Sequence, residues 1–390
     1  MPLRTMLYMT VAVGVLIGSV SLGGCDDENG IVEPGSSPPP VGQEIFRYET
    51  FGDEQVWTDV LRMHEVIQSA VDPNTALSVG LKVDADALPP GILASADLSD
   101  PATTVALIGL DAVVGIRGEV DEQGNLTRVG VSCALCHTTV DDSVAPGIGR
   151  RLDGWANRDL NPGAILALSP ALQDPQTQAA LNSWGPGRYD ARWNQDGISE
   201  PVLIPPIYGL KGVALETYTG DGPVSYWNSY VAVTQMGGQG NFVDPRIGVD
   251  VAQSPDLVTP KLADLLEYQL SLEPPVAPAG SFDAAAAQRG KVVFEGQGRC
   301  ADCHMGSAFT DASFRLHAAE ETGMEPVAAE RSATGQYRTT PLRALWNHAP
   351  YFHDGSAETL DDVVRHYDTT LNLGLDEEQI ADLVDFLKSI

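Results

Sequence analysis

The chain has 390 residues, 43% of them hydrophobic, and carries 53 acidic against 23 basic side chains for a formal net charge of −30. That balance excludes nucleic acid as an expected partner, because phosphate binding requires a basic face. It favours a cationic partner, although acidity also serves solubility alone.

In chain order, Arg4 is the only charge before an apolar run from Met6 to Leu22, which ends in Leu22-Gly23-Gly24-Cys25. A basic start, an apolar stretch and small residues before a cut read as a secretory signal over residues 1–24. About 17 apolar residues are marginal for spanning a bilayer. The terminal tetrapeptide resembles the lipobox of bacterial lipoproteins, which implies that Cys25 becomes the mature N-terminus and carries a lipid. The expected location is then the periplasmic face of a bacterial membrane. Asp26 and Asp27 resemble inner-membrane retention signals of some bacteria, and which membrane is left open. Residues 25–43, acidic and then rich in Pro, Gly and Ser, read as a flexible tether.

A helix is expected over Glu54–Val71, with Val56, Val60, Leu61 and Ile67 on its apolar side. Ala112–Ile116 and Leu126–Val131 flank Asp121-Glu122-Gln123-Gly124-Asn125, a hairpin signal. It ends just before Cys133-Ala134-Leu135-Cys136-His137, and Cys300-Ala301-Asp302-Cys303-His304 repeats the pattern. C-x-x-C-H is the attachment pattern of a c-type haem. Two thiols at that spacing can add to the two vinyl groups of one porphyrin, and the following His offers a nitrogen to the iron. The competing reading is a four-Cys zinc site, against which stand the His after each pair and the long separation of the pairs. Two haem c groups are therefore expected, on Cys133, Cys136 and His137 and on Cys300, Cys303 and His304. With Cys25 lipidated, no cysteine is left for a disulfide.

After the first motif comes a loop-rich stretch with Pro146, Pro162, Pro170, Pro175 and Pro186. A break at Glu273–Pro278 separates an N-terminal unit, 44–275, from a C-terminal one, 281–390. In the latter, Asp283 offers an N-cap to a helix over Ala284–Phe294, with Gly290 and Phe294 on one face. Asp376 caps a closing helix over Glu377–Ser389 whose Ile380, Leu383, Val384 and Leu387 form a stripe. The fold class expected is mainly α: two cytochrome c-like haem domains, loop-rich, with a small β-hairpin in the first. The units also look like distant copies. Pro206-Ile207 through Tyr218-Thr219-Gly220-Asp221-Gly222 can be laid on Pro341-Leu342 through Tyr351-Phe352-His353-Asp354-Gly355.

Residues 339–367, TTPLRALWNHAPYFHDGSAETLDDVVRHY, closely resemble the C-terminal domain of bacterial di-haem cytochrome c peroxidases and their MauG-type relatives. With Cys300–His304 the resemblance covers roughly residues 283–390. It implies a labour split: the N-terminal haem meets an oxidant such as hydrogen peroxide, and the C-terminal haem takes electrons from a donor protein, for which a basic small cytochrome suits this acidic chain. It also implies a second axial ligand on the helix after His353-Asp354-Gly355. Counting places Tyr367 there, with His366 as rival and Met305 or Met324 as further alternatives. His353 reads as a structural or haem-edge residue, His348 as pocket wall and His317 as a surface residue. His64, on the first helix, could reach the first haem or simply pack.

The first unit departs from the family. No His lies between His137 and His304, so the first iron is either open or closed by Met236, itself more simply a core or loop residue. The bridging Trp of the family falls on Gly220, and its peroxide-handling Gln and Glu fall on Tyr230 and Gly240. Peroxide cleavage needs a group that moves a proton between two oxygens, and Glu216 and Gln235 are the candidate catalytic residues, with Gln239 and Tyr218 nearby. Trp193 and Trp227 could assist electron transfer or be ordinary buried aromatics. Arg150, Arg151 and Arg158 could pair with haem propionates or be solvated. A calcium ion between the haems, present in some relatives, is left open. The reading is a lipid-anchored periplasmic di-haem oxidoreductase of the peroxidase/MauG type. A non-catalytic di-haem electron carrier and a dioxygen-using oxygenase on the same scaffold are the alternatives.

Overall fold

A computed structural model describes residues 41–390, without the side chains of residues 94 and 95. The signal, Cys25 and the tether up to residue 40 lie outside the described residues. The tether's last positions belong instead to helix α1, Val41–Tyr48. Ile45 and Phe46 are buried, and the Phe46 ring packs 5.6 Å from that of Tyr268. Burying two large apolar side chains is worth a few kcal/mol, enough to extend ordered structure into a stretch whose composition reads as linker.

The chain is mainly α, about 41% helical, with two-stranded sheets only among the described residues. The expected helix over 54–71 is broken. A π-helical stretch, Gln55–Val60, gives way at Arg62, with φ of +56°, to helix α2, Met63–Ala70. Val60, expected on the apolar side, is 58% exposed. The cause is tertiary: the buried Thr58 hydroxyl donates to the Val129 carbonyl at 3.0 Å and accepts from the Val129 N–H at 2.9 Å, docking the stretch on the hairpin.

That hairpin pairs β1, Ile116–Val120, antiparallel with β2, Leu126–Val131. The Asp121 carboxylate accepts the Gln123 and Asn125 N–H groups in the turn. The first strand lies one strand-length later than the apolar run Ala112–Ile116 suggests; Ala112, Val113 and Val114 are buried in the core instead. Helices α3, Val224–Thr234, and α4, Leu262–Ser271, complete the first core, which draws on residues from Ile45 to Tyr268.

A second core runs from Ala287 to Leu387. Its helices are α5, Ala284–Glu295, α6, Leu360–Leu371, and α7, Glu377–Lys388. The Asp283 carboxylate accepts the Ala286 N–H at 2.7 Å, and Asp376 accepts that of Gln379 at 2.9 Å, with the Gln379 side chain returning to the Asp376 N–H. Ile380, Leu383 and Leu387 are buried as their spacing requires, joined by Phe386. Asp376→Ala is expected to lower stability by about 1 kcal/mol, measurable as a shift of the urea midpoint with unchanged slope. Among the described residues no helix is long and apolar enough to cross a membrane.

Candidate functional site

The first C-x-x-C-H begins where β2 ends. Ser132 Oγ donates to the Arg47 carbonyl at 2.7 Å, fixing the strand's exit, and Ala134–His137 forms a single helical turn. Asn157 donates its backbone N–H to the Cys136 carbonyl at 2.9 Å. His137 Nδ1 lies 3.0 Å from the Pro205 carbonyl. Only an Nδ1–H can satisfy that oxygen, so Nε2 keeps its lone pair, the arrangement a metal-binding imidazole needs. Burial pushes the His137 pKa down to about 4 and the thiols of Cys133 and Cys136 up to about 12. All three line a largely apolar cavity of ≈ 280 Å³.

The second motif repeats this physics in a different setting. Its His304 Nδ1 lies 3.0 Å from the Phe309 carbonyl, and burial again lowers the imidazole pKa. Cys300, Cys303 and His304 line a second cavity of ≈ 270 Å³ with Phe294 and Leu383. The two thiol pairs open into different cavities, each beside its own His, so a four-Cys zinc site is not assembled. Two thiols, a neutral imidazole with its lone pair free and an apolar hollow fit a haem at each motif. The cavities share a wall made of Pro205, Pro206, Leu210, Tyr218 and His353.

Of the candidates for a second axial position, Tyr367 lines the second cavity; burial, then the neighbouring Cys300 and Cys303, push its phenol pKa up. His366 turns away, its Nε2 2.8 Å from the Thr322 carbonyl and its ring 4.9 Å from that of Phe352. Successive helical residues diverge by about 100°, and α6 spends that difference in favour of the phenol. Met324 also lines this cavity, whereas Met305 is exposed and does not. On the first side, Met236, Glu216, Gln235 and Trp227 line the cavity. Glu216 accepts the Val224 N–H, and burial raises its pKa. Gln235 accepts from the Tyr189 hydroxyl at 3.0 Å and donates to Thr234 Oγ1 at 2.9 Å.

Other expected positions fall elsewhere. His64 does not line the first cavity. Gln239 bonds Gln55 outside it, and Trp193 packs on Trp184 at 5.8 Å. His317 is not a surface residue. It is 4% exposed, held 3.0 Å from Asp311 and 3.3 Å from Glu321, and lines the second cavity, because two carboxylates compensate its burial. His348 lines the second cavity, its Nε2 3.0 Å from the Tyr208 hydroxyl. His353 stacks on Tyr337 at 4.7 Å. Arg151 pairs with Asp84 at 2.6 Å and Arg150 is exposed, leaving Arg158 as the one of the three at the second cavity. Sequence reasoning misses Tyr189, Arg192 and Arg338, which the fold brings to the cavities from positions with no motif around them.

No protein-family model matches the chain. Among curated proteins, it is 38% identical over 88 residues to methylamine utilization protein MauG of Methylorubrum extorquens, covering 21% of this chain and 25% of that one. It is 26% identical over 152 residues to cytochrome-c peroxidase IdrP1 of Denitromonas iodatirespirans, covering 27% and 40%. These matches support the di-haem cytochrome c peroxidase/MauG family over part of the chain. The chain spans a quarter and two fifths of the length of these two relatives. Solved structures with partial overlap include hydrazine synthase of Kuenenia stuttgartiensis (20% identity, TM-score 0.36, 50% of this chain and 74% of that one). A MauG-like protein associated with microbial copper homeostasis overlaps similarly (18%, TM-score 0.34, 50% and 75%). Haem c is the cofactor the curated relatives imply.

Proposed function

We propose that this chain is a di-haem c-type oxidoreductase that reduces a small oxidant, of which hydrogen peroxide is the chemical type, with electrons from a donor protein. The observation that carries the reading is the pair of separate cavities, each ending in its own C-x-x-C-H with a buried imidazole whose Nδ1 is tied to a backbone carbonyl, set back to back across one wall. Bound haem supplies the one-electron chemistry, and the protein sets ligands, access and polarity. Reduction of peroxide consumes two electrons and two protons and yields two waters. In the first cavity Glu216, whose pKa burial raises, and the hydrogen-bonded Tyr189–Gln235 pair are the groups that can relay and orient those protons. In the second cavity Tyr367 would offer its phenol oxygen to the iron of a bound haem, a role its place on the cavity wall supports. The reading includes export, lipid attachment at Cys25 and an acidic surface suited to a basic small cytochrome.

The reading is tested by electron paramagnetic resonance on the ferric protein. One high-spin and one low-spin signal are expected, and Tyr367→Phe removes the low-spin one while Met236→Ala leaves both. A second reading, an electron carrier, is favoured by the place of Met236 on the first cavity's wall. It requires two low-spin haems, one of which Met236→Ala converts to high spin. Mass spectrometry of the mature chain showing no added porphyrin mass would end both.

A further inference from the structure

Two arginines of the second cavity are left incomplete by the protein itself. Arg158 belongs to the N-terminal half, and its Nη2 donates to the His348 carbonyl of the C-terminal half at 3.2 Å. Its Nε and Nη1 are buried with no partner. Arg338 reaches the other way, its Nη1 donating to the Leu215 carbonyl at 2.9 Å, and its Nε is also buried and unpartnered. Neither guanidinium has a carboxylate within ion-pair distance among the described residues. Between them stands Tyr218, whose carbonyl accepts the Arg338 N–H at 2.9 Å and whose side chain lines both cavities.

Two buried, unpaired cations in an apolar hollow are expensive, and a protein retains them where an anion completes them. Burial pushes the Arg338 pKa down to about 10, and the nearby Tyr218 and Glu216, neither of them within ion-pair distance, offset that only in part. The donors left over are guanidinium N–H groups, whose geometry suits carboxylate oxygens. The hollow they face already ends in two thiols and a neutral imidazole, none of which carries negative charge.

We infer that Arg158 and Arg338 form a two-guanidinium carboxylate site that receives the propionates of the haem held at Cys300–His304 and, by the positive charge it keeps beside that haem, raises its reduction potential. Because each arginine is anchored on the opposite half of the chain, the same site ties haem loading at the second cavity to the contact between the halves. This inference rests on the di-haem reading above.

The test is a spectroscopic redox titration of the purified holoprotein and of Arg158→Gln, Arg338→Gln and the corresponding Lys variants. Mass spectrometry first counts haems per chain; a wild-type chain without two would sink the di-haem reading rather than this site. With both haems attached, one of the two midpoint potentials is expected to fall in each Gln variant, further in the double variant, and to return most of the way in the Lys variants. A merely structural role would not produce that split between Gln and Lys. Unchanged midpoints in Arg158→Gln, or equal shifts for Gln and Lys, would overturn the inference. Should Arg338→Gln not fold, Arg158→Gln and Arg158→Lys decide it alone.

Discussion

On the proposed di-haem reading, Gly290→Ala is expected to lower haem attachment at the second C-x-x-C-H while leaving the first unchanged. Gly290 lies where α5 crosses α7, and a Cβ there would run into the Asp382 carbonyl and stand 2.9 Å from Leu383 Cα. Both obstacles are backbone, so no side chain can swing aside. Alanine is the better helix former by about 1 kcal/mol, which alone would make the change stabilising. Overpacking costs about 1–3 kcal/mol when neighbours can adjust. Here they can adjust only by separating the helices, which puts the cost at the upper end and leaves a net loss of about 2 kcal/mol. The separation would also release Phe294, which packs edge-on against Phe386 at 5.1 Å and Phe309 at 5.9 Å, and the carbonyl of Phe309 holds His304. Haem mass per chain and the thermal midpoint measure the outcome. Full loading with wild-type stability would contradict the packing argument.

What could be read beforehand follows from the range of the interactions involved. The caps at Asp283 and Asp376 and the stripe through Ile380, Leu383 and Leu387 are encoded within one or two helical turns. Each is found where its local pattern puts it. The choice of Tyr367 over His366 to face the cavity is likewise a matter of helical phase. The break at Arg62 is not local: Thr58 must find Val129, 71 residues away, before a π-helical stretch becomes preferable to a continued α-helix. His317 looks solvated although both carboxylate partners lie within six residues of it, because no helical or strand pattern in that stretch marks Asp311 and Glu321 as folded onto its ring. Tyr189, Arg192 and Arg338 are legible only once the cavities exist, since a lone Tyr or Arg carries no periodicity or spacing.

Asp53→Asn is expected to flatten a steep pH dependence of stability in the wild-type protein. Asp53 is fully buried just before the π-helical stretch. Its carboxyl accepts the Val131 N–H, at 3.3 and 3.2 Å to its two oxygens. Burial pushes its pKa up to about 9, against the lowering effect of that hydrogen bond and helped by Glu54 and Glu49. In the unfolded chain the same group titrates near 3.9. Between those values the folded state binds a proton that the unfolded state does not, so stability is complete below about pH 4 and is lost as pH rises toward about 9. The slope approaches about 1.4 kcal/mol per pH unit, or about 4 kcal/mol between pH 5 and pH 8 as an upper bound. Asparagine keeps an acceptor for the Val131 N–H and has no charge to develop. Between pH 5 and pH 8 the urea midpoint of the variant should therefore fall less than that of wild type, or rise, and at pH 8 it should lie above wild type. Parallel curves for the two proteins would mean that the carboxyl is already ionised in the folded state. Val131 lies two residues before Cys133, so the hydrogen bond that survives the substitution also holds the strand end feeding the first motif. Haem loading at the first site should then persist in Asp53→Asn and fail in Asp53→Leu, which removes the acceptor and leaves the Val131 N–H buried without a partner, at about 1–3 kcal/mol.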